Sequence, residues 1–86
     1  MACKKILIID DDKELCEELV EFLQAEGYAA ECASDSIDGE KLVRSKKYDM
    51  VLLDYKMPVL TGVDLLKRLK ADNIRERIFI ISGRPS

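Results

Sequence analysis

The chain has 86 residues, of which 48% are hydrophobic and 36% charged, and its formal net charge at pH 7 is -3. This length allows one small domain, and its Lys and Arg residues alternate with acids instead of forming a basic cluster, so we expect no direct nucleic-acid binding. The sequence contains no His, which excludes imidazole catalysis and imidazole metal ligation within these residues.

Two features indicate the cellular compartment, the short N-terminal apolar run and the cysteines. The run from Ile6 to Ile9 is followed at once by acids, whereas a membrane-spanning helix needs about 20 apolar residues. We therefore expect a cytoplasmic protein without membrane contact. The cysteines, Cys3, Cys16 and Cys32, are odd in number and lack CxxC spacing, so we expect buried thiols and neither a zinc site nor a disulfide framework.

The hydrophobic pattern predicts strands and helices in strict alternation. Strands are predicted over 5–9, 28–33, 49–53 and 77–81, and helices over 13–26, from a cap at 34–36 to about 45, and over 61–70. The first and third strands are continuous apolar runs, which is typical of strands buried on both faces of a parallel sheet. The order β-α-β-α-β-α-β requires right-handed crossovers and predicts an α/β fold.

The first two helices differ in the strength of their predicted apolar faces. The first has a broad face made of Leu15, Cys16, Leu19, Val20, Phe22 and Leu23. Gly27 is expected to end this helix. The second has a thin face of Ile37, Leu42 and Val43, and Gly39 lowers its helix propensity.

Polar side chains follow three of the predicted strands. Asp10, Asp11 and Asp12 come after the first strand, Asp54 after the third, and Ser82 after the fourth. In a parallel sheet these positions meet at one edge, and the carboxylates converge if the first strand lies between the second and the third. Crowded carboxylates repel one another unless a cation lies among them, and Mg²⁺ prefers oxygen ligands. Asp54, alone at the end of a buried strand, is the best-placed nucleophile for a phosphoryl group.

Four segments give the chain a resemblance to the response regulator receiver domain of two-component signalling. They are KKILIIDDDKE at 4–14, YDMVLLDYKMP at 48–58, TGVDLLKRLK at 61–70 and IFIISGR at 78–84. The resemblance implies a CheY-like, flavodoxin-like three-layer parallel sheet of order 2-1-3-4. It also implies a phosphorelay module, not an enzyme, whose partner is a histidine kinase or a phosphotransfer protein.

The resemblance also implies roles for the acids around a bound Mg²⁺. Asp54 matches the position of the phosphoacceptor and contributes to the metal site. Asp11 matches a direct metal ligand, and Asp10 matches an acid that assists through water. The backbone carbonyl of Lys56 completes the protein ligands that the resemblance implies.

The fourth strand is followed by residues that the resemblance places beside the phosphoryl group. Ser82 matches a hydroxyl residue that hydrogen-bonds the group and moves on activation, and Gly83 matches a small residue that leaves room for it. The family's domain continues with a fourth helix, a fifth strand and a fifth helix, which these 86 residues lack, together with a Lys that pairs with the phosphoryl group. We therefore expect 1–86 to be a single truncated receiver domain that forms a homo-oligomer through the exposed edge of the fourth strand.

The same residues allow other interpretations. Acids after the first strand can simply cap the first helix, but capping does not account for Asp54. A nucleotide-binding Rossmann half is disfavoured because the turn DDDKE lacks glycines. A haloacid-dehalogenase-like phosphatase is also disfavoured, because that family has a second acid two residues after the first, whereas Tyr55 and Lys56 follow Asp54 here. The open alternative is a receiver-derived interaction or oligomerisation module, natural or a cut fragment, without phosphorelay activity.

Overall fold

The computed structural model describes residues 4–54, 61–74 and 77–81, which form a four-stranded parallel sheet with helices on both faces. The elements are β1 Lys5–Ile9, α1 Lys13–Ala25, β2 Ala29–Ala33, α2 Ser36–Ser45, β3 Met50–Asp54, α3 Gly62–Ala71 and β4 Arg77–Ile81. The strand order is β2-β1-β3-β4, and every neighbouring pair is parallel. The predicted α/β class, element sequence and sheet order 2-1-3-4 are confirmed. None of the helices in these ranges is long and apolar enough to cross a membrane.

The sheet separates two apolar layers. The larger layer lies against α2 and α3 and contains the buried residues Leu7, Ile9, Ala33, Val43, Tyr48, Val51, Leu53, Leu65 and Leu69. The smaller layer lies against α1 and is built on Ile6, Ile8 and Cys16. Because successive side chains of a strand point to opposite faces, β1 supplies both layers, and this explains its uninterrupted apolar run.

Each helix is preceded by a cap residue, whose side chain accepts a hydrogen bond from the backbone N–H three residues later. These residues are Asp12, Asp35 and Thr61, with distances of 3.1, 2.7 and 3.2 Å. Such caps satisfy N–H groups that have no partner within the helix. At the other end, α1 is followed by Gly27 with φ of 96° and α3 by Asn73 with φ of 58°, so the predicted stop at Gly27 is confirmed.

The predicted face of α1 is correct at its centre and wrong at its margins. Cys16 is fully buried, and Leu19, Val20 and Leu23 pack around it. Leu15 is exposed, and Phe22 is 62% exposed. The 3.6-residue period locates an apolar arc, but only the contact with the sheet decides which part of that arc is buried.

The thin face of α2 has a packing explanation. Val43 is buried and Leu42 packs against the core, whereas Ile37 is exposed. A Cβ atom at Gly39 would lie only 2.6 Å from Cδ1 of Ile9 on β1. Gly39 therefore lets α2 approach the sheet closely, although glycine disfavours helix formation.

The expectation that the described cysteines are free thiols is wrong. Cys16 on α1 and Cys32 on β2 form a disulfide, with their Cα atoms 5.9 Å apart. The sequence spacing gave no signal of this link because it depends on how α1 packs beside β2. Cys3 lies outside the described residues.

Ion pairs join α2 to α3. Arg44 contacts the Glu40 carboxylate at 2.8 Å and the Asp72 carboxylate, just past α3, at 2.6 Å. Arg68 on α3 contacts the other Glu40 oxygen at 3.1 Å. Glu40 is thus the shared acceptor of two guanidinium groups, and the pairs link the two helices.

Candidate metal centre

Three acids meet at the carboxyl edge of the sheet. Asp10 and Asp11 directly follow β1, and Asp54 is the last residue of β3. Because β1 and β3 are neighbours with Ile9 opposite Leu53, Asp10 comes level with Asp54. One carboxylate oxygen from each of the three acids lies within 4.8 Å of the others. The predicted convergence of these carboxylates is therefore observed.

The Asp10 carboxylate is held by the backbone of the turn that leads into α1. Its Oδ1 atom accepts a hydrogen bond of 2.9 Å from the N–H of Asp12, and the Asp10 N–H donates to the carbonyl of Ala33 on β2 at 3.1 Å. The Asp12 side chain accepts instead from the N–H of Leu15. The capping interpretation thus applies to Asp12, while the carboxylates of Asp10 and Asp11 lie close to that of Asp54.

Burial differs among the three acids in a way that suits a binding site. Asp10 is 5% exposed and Asp54 is 6% exposed, whereas Asp11 is exposed. Buried carboxylates require polar or cationic partners, since desolvation of an isolated charge is costly. Asp11 is the acid of this group that solvent reaches, so a small ion or a phosphoryl group can approach the three carboxylates from the side of Asp11.

The donor set fits Mg²⁺. All three groups offer hard carboxylate oxygens. Opposite ligands of an octahedral Mg²⁺ lie about 4 Å apart, which is compatible with three carboxylate oxygens that lie within 4.8 Å of one another. Within the ranges that the structure describes, no other group of three potential ligands comes as close together. Such a hard ion keeps several waters, so it needs only a few ligands from the protein.

Three predicted site residues lie outside the described residues. They are Lys56, which follows β3, and Ser82 and Gly83, which follow β4. Their predicted roles stay predictions. The described strand ends nearest to them, Asp54 and Ile81, are paired in the register of β3 and β4.

One side chain that touches this region was not predicted from the sequence. The Sγ atom of Cys16 lies 3.4 Å from the backbone carbonyl oxygen of Asp10. A signal was present in the spacing, because Cys16 is four residues beyond the cap Asp12 and so one helical turn above the acidic turn. The sequence assigned it only to the apolar arc of α1.

A family model and a curated relative match nearly the whole chain. The model described as "Response regulator receiver domain" matches residues 6–86. The transcriptional regulatory protein PmrA of Pectobacterium parmentieri is 38% identical over 80 residues, which cover 93% of this chain and 36% of the relative. The chain thus spans about a third of the length of the curated relatives it matches.

Solved structures agree with the observed fold. A response regulator receiver domain from Francisella superposes with a TM-score of 0.89 at 31% identity, covering 96% of this chain and 69% of the other. The response regulator TrrA from Thermotoga maritima, solved in complex with Mg²⁺ and BeF, has a TM-score of 0.86 at 31% identity, covering 94% and 70%. The residues that the family model matches include Asp10, Asp11 and Asp54.

Proposed function

This chain belongs to the response regulator receiver domain family, and on that premise we propose that it accepts a phosphoryl group on Asp54 in a two-component signalling system. The observation that supports this proposal most strongly is the approach of the Asp10, Asp11 and Asp54 carboxylates to within 4.8 Å at the carboxyl edge of the sheet. Ligand sites of open parallel sheets occur at this edge.

The acids have distinct roles in the proposed site. Asp11 and Asp54 hold Mg²⁺ through carboxylate oxygens, and the backbone carbonyl of Lys56 adds a further ligand. Asp10 assists through water, with its carboxylate fixed by the N–H of Asp12. When bound, Mg²⁺ offsets the negative charge of these acids and of the incoming phosphoryl group.

In the proposed reaction Asp54 is the nucleophile. Its carboxylate oxygen attacks the phosphorus of a phosphohistidine, the P–N bond breaks, and the imidazole nitrogen keeps the bonding electron pair. The product is an acyl phosphate on Asp54, which Ser82 hydrogen-bonds and for which Gly83 leaves space. Since the chain itself is the product, we describe it as a phosphoacceptor and not as an enzyme.

The partners follow from this chemistry. The donor is a histidine kinase or a phosphotransfer protein, and the exchange takes place in the cytoplasm. The complex of TrrA with Mg²⁺ and BeF supports a metal-dependent site in this family. PmrA is named as a transcriptional regulator, but the net charge of -3 and the dispersed cations of this chain support no direct contact with nucleic acid here.

A second proposal is self-association of this chain through β4. In the ranges that the structure describes, β4 lies at the end of the sheet and pairs with β3 alone. Met50 and Leu52 on the adjoining strand are only partly buried on the face that α1 covers. An exposed strand edge beside partly covered apolar residues is a template for a second copy. Sedimentation at rising protein concentration tests this, and a constant monomer mass would end the proposal.

Intact mass spectrometry tests phosphoryl acceptance. The chain is incubated with a small acyl phosphate or phosphoramidate, with Mg²⁺ or with a chelator, beside the variant Asp54→Asn. We expect one phosphoryl adduct that requires Mg²⁺ and is absent from the variant. The lack of an adduct on protein whose circular dichroism shows it to be folded would reject phosphoryl acceptance and favour the interaction module.

A further inference from the structure

The Cys16–Cys32 pair is arranged as an accessible redox site. Cys16 is fully buried, and Cys32 is partly exposed. Their Cα separation of 5.9 Å lies in the normal range for disulfides, so the bond forms without moving the backbone. Cys32 is therefore the more exposed residue of the pair.

The buried sulfur of this pair lies against the backbone of the acidic turn. The Cys16 Sγ atom is 3.4 Å from the carbonyl oxygen of Asp10 and 3.9 Å from that of Ala33. The Cys16 N–H donates to the carbonyl of Asp12 at 3.0 Å. A disulfide sulfur carries no proton, whereas a Cys16 thiol has one proton that it can donate to one of these two carbonyl oxygens. A change in redox state therefore alters the contacts of Asp10 directly.

We propose that Cys16 and Cys32 form a reversible disulfide that couples the thiol redox state of the cell to Mg²⁺ binding at Asp10, Asp11 and Asp54. The coupling to Mg²⁺ rests on the proposed function, as does the cytoplasmic location. Disulfides of cytoplasmic proteins are usually transient and catalytic or redox-sensing. The reducing compartment thus favours a regulatory link over a permanent structural one.

A small-molecule disulfide of the glutathione type is the oxidant. The Cys32 thiolate attacks one of its sulfurs, breaks that S–S bond, and releases one thiolate. Cys16 gives its proton to the released thiolate and attacks Cys32 Sγ, which forms the protein disulfide and expels the second thiolate. The proton lost by Cys32 neutralises that second thiolate. Two protein thiols are oxidised by two electrons, and one small disulfide is reduced to two thiols.

The closed link strengthens metal binding. It ties the first turns of α1 to β2, and the acidic turn, which leads from β1 into α1, is itself hydrogen-bonded to β2 through the Asp10 N–H and the Ala33 carbonyl. A turn held in its binding geometry loses less conformational entropy when a metal binds. The oxidised form therefore binds Mg²⁺ about three- to tenfold more tightly than the reduced form.

Calorimetric Mg²⁺ titration of the oxidised and the reduced chain tests this coupling. Peptide mapping after alkylation identifies the linked cysteines, and circular dichroism checks folding. Cys32→Ser removes the link and is expected to abolish the difference in Mg²⁺ affinity, whereas Cys3→Ser is the matched control and retains it. A phosphodonor added to the same samples reports on Asp54 separately.

The outcomes separate the redox proposal from the proposed function. A Cys16–Cys32 link with tighter Mg²⁺ binding upholds the redox proposal, even if neither form accepts a phosphoryl group. Equal Mg²⁺ affinities overturn it and leave phosphoryl acceptance to be judged by the adduct alone. A link through Cys3, a failure to oxidise, or unfolding of the reduced chain overturns it as well.

Discussion

The backbone fixes two of the three acids in the candidate metal centre, Asp10 and Asp54. Asp10 is fixed by the N–H of Asp12 and by the carbonyl of Ala33, and Asp54 by its place between β1 and β4. Asp11 is exposed and so is the least constrained of the three. Its proposed contribution is to metal binding, because removal of its charge would change the candidate metal centre and not the core.

Asp11→Asn tests this role. The variant replaces a charged oxygen with a neutral amide of similar shape, and loss of even a supporting group costs a metal site about 10- to 100-fold in affinity. We expect the Mg²⁺ dissociation constant to rise at least about tenfold, as measured by calorimetry. Glu14→Gln, exposed in the first turn of α1, is the matched control. An unchanged affinity for Asp11→Asn would remove Asp11 from the metal centre.

Gly39→Ala tests the close approach of α2 to β1. Alanine improves helix propensity by about 1 kcal/mol, but its Cβ would lie 2.6 to 2.8 Å from three side-chain atoms of the fully buried Ile9. Overpacking of this kind costs about 1 to 3 kcal/mol, so we expect net destabilisation in urea unfolding. The double variant Ile9→Val/Gly39→Ala should lose less unfolding free energy than the sum of the losses of the two single variants. A stabilised Gly39→Ala variant would contradict the packing explanation.

The ion pairs between α2 and α3 make the stability of the fold depend on pH. Partial burial raises the pKa of Glu40, but the hydrogen bonds and charges of Arg44 and Arg68 outweigh it and hold the pKa below its ordinary value of 4.5. A carboxylate of this kind stabilises the fold fully above its unfolded pKa. The stabilisation is lost as pH falls through the lowered folded pKa.

Glu40→Gln should therefore lower the unfolding free energy at neutral pH but not in acid. Glutamine resembles the protonated carboxyl group, so we expect a loss of about 1 kcal/mol in unfolding free energy near neutral pH. This difference from wild type should vanish as pH falls well below 4.5. Urea unfolding across this range measures it, with Glu21→Gln on the exposed side of α1 as the control. A difference that stays constant with pH would show that the ion pairs are not its source.

Across the whole molecule, the two faces and the two edges of the sheet are unequal. Within the described ranges, α2 and α3 cover one face, whereas α1 alone packs on the other. Among the described elements, β2 and β4 are both edge strands; β2 packs against α1 and α2, whereas β4 packs against α3. The proposal of self-association therefore concerns β4, and β2 provides an internal reference.

Hydrogen exchange at several protein concentrations distinguishes the two edges. If copies of the chain pair through β4, the amides of Arg77–Ile81 should exchange more slowly as concentration rises, because added backbone hydrogen bonds protect them. The amides of Ala29–Ala33 should keep the same rates. Equal protection of both edges, or none at either, would contradict pairing through β4.

The sequence predicts the features that depend on local pattern. The apolar runs of β1 and β3 predict buried parallel strands, Gly27 predicts the end of α1, and the acids after β1 and Asp54 predict the cluster of carboxylates at the sheet edge. What it does not predict depends on contacts between distant elements. The disulfide between α1 and β2, the fit of Gly39 against Ile9, and the exposure of Phe22 are set by packing distances and angles that no short stretch of sequence encodes.

Mapping the position of the phosphoryl group tests the central claim most directly. After Mg²⁺-dependent reaction with a small phosphodonor, borohydride reduction converts an aspartyl phosphate to homoserine, and peptide mass spectrometry locates the changed residue. We predict homoserine at position 54 and at neither Asp10 nor Asp11, because Asp54 is the proposed nucleophile and the others serve the metal. Homoserine at Asp10 or Asp11, with Asp54 unchanged, would contradict this assignment of the site.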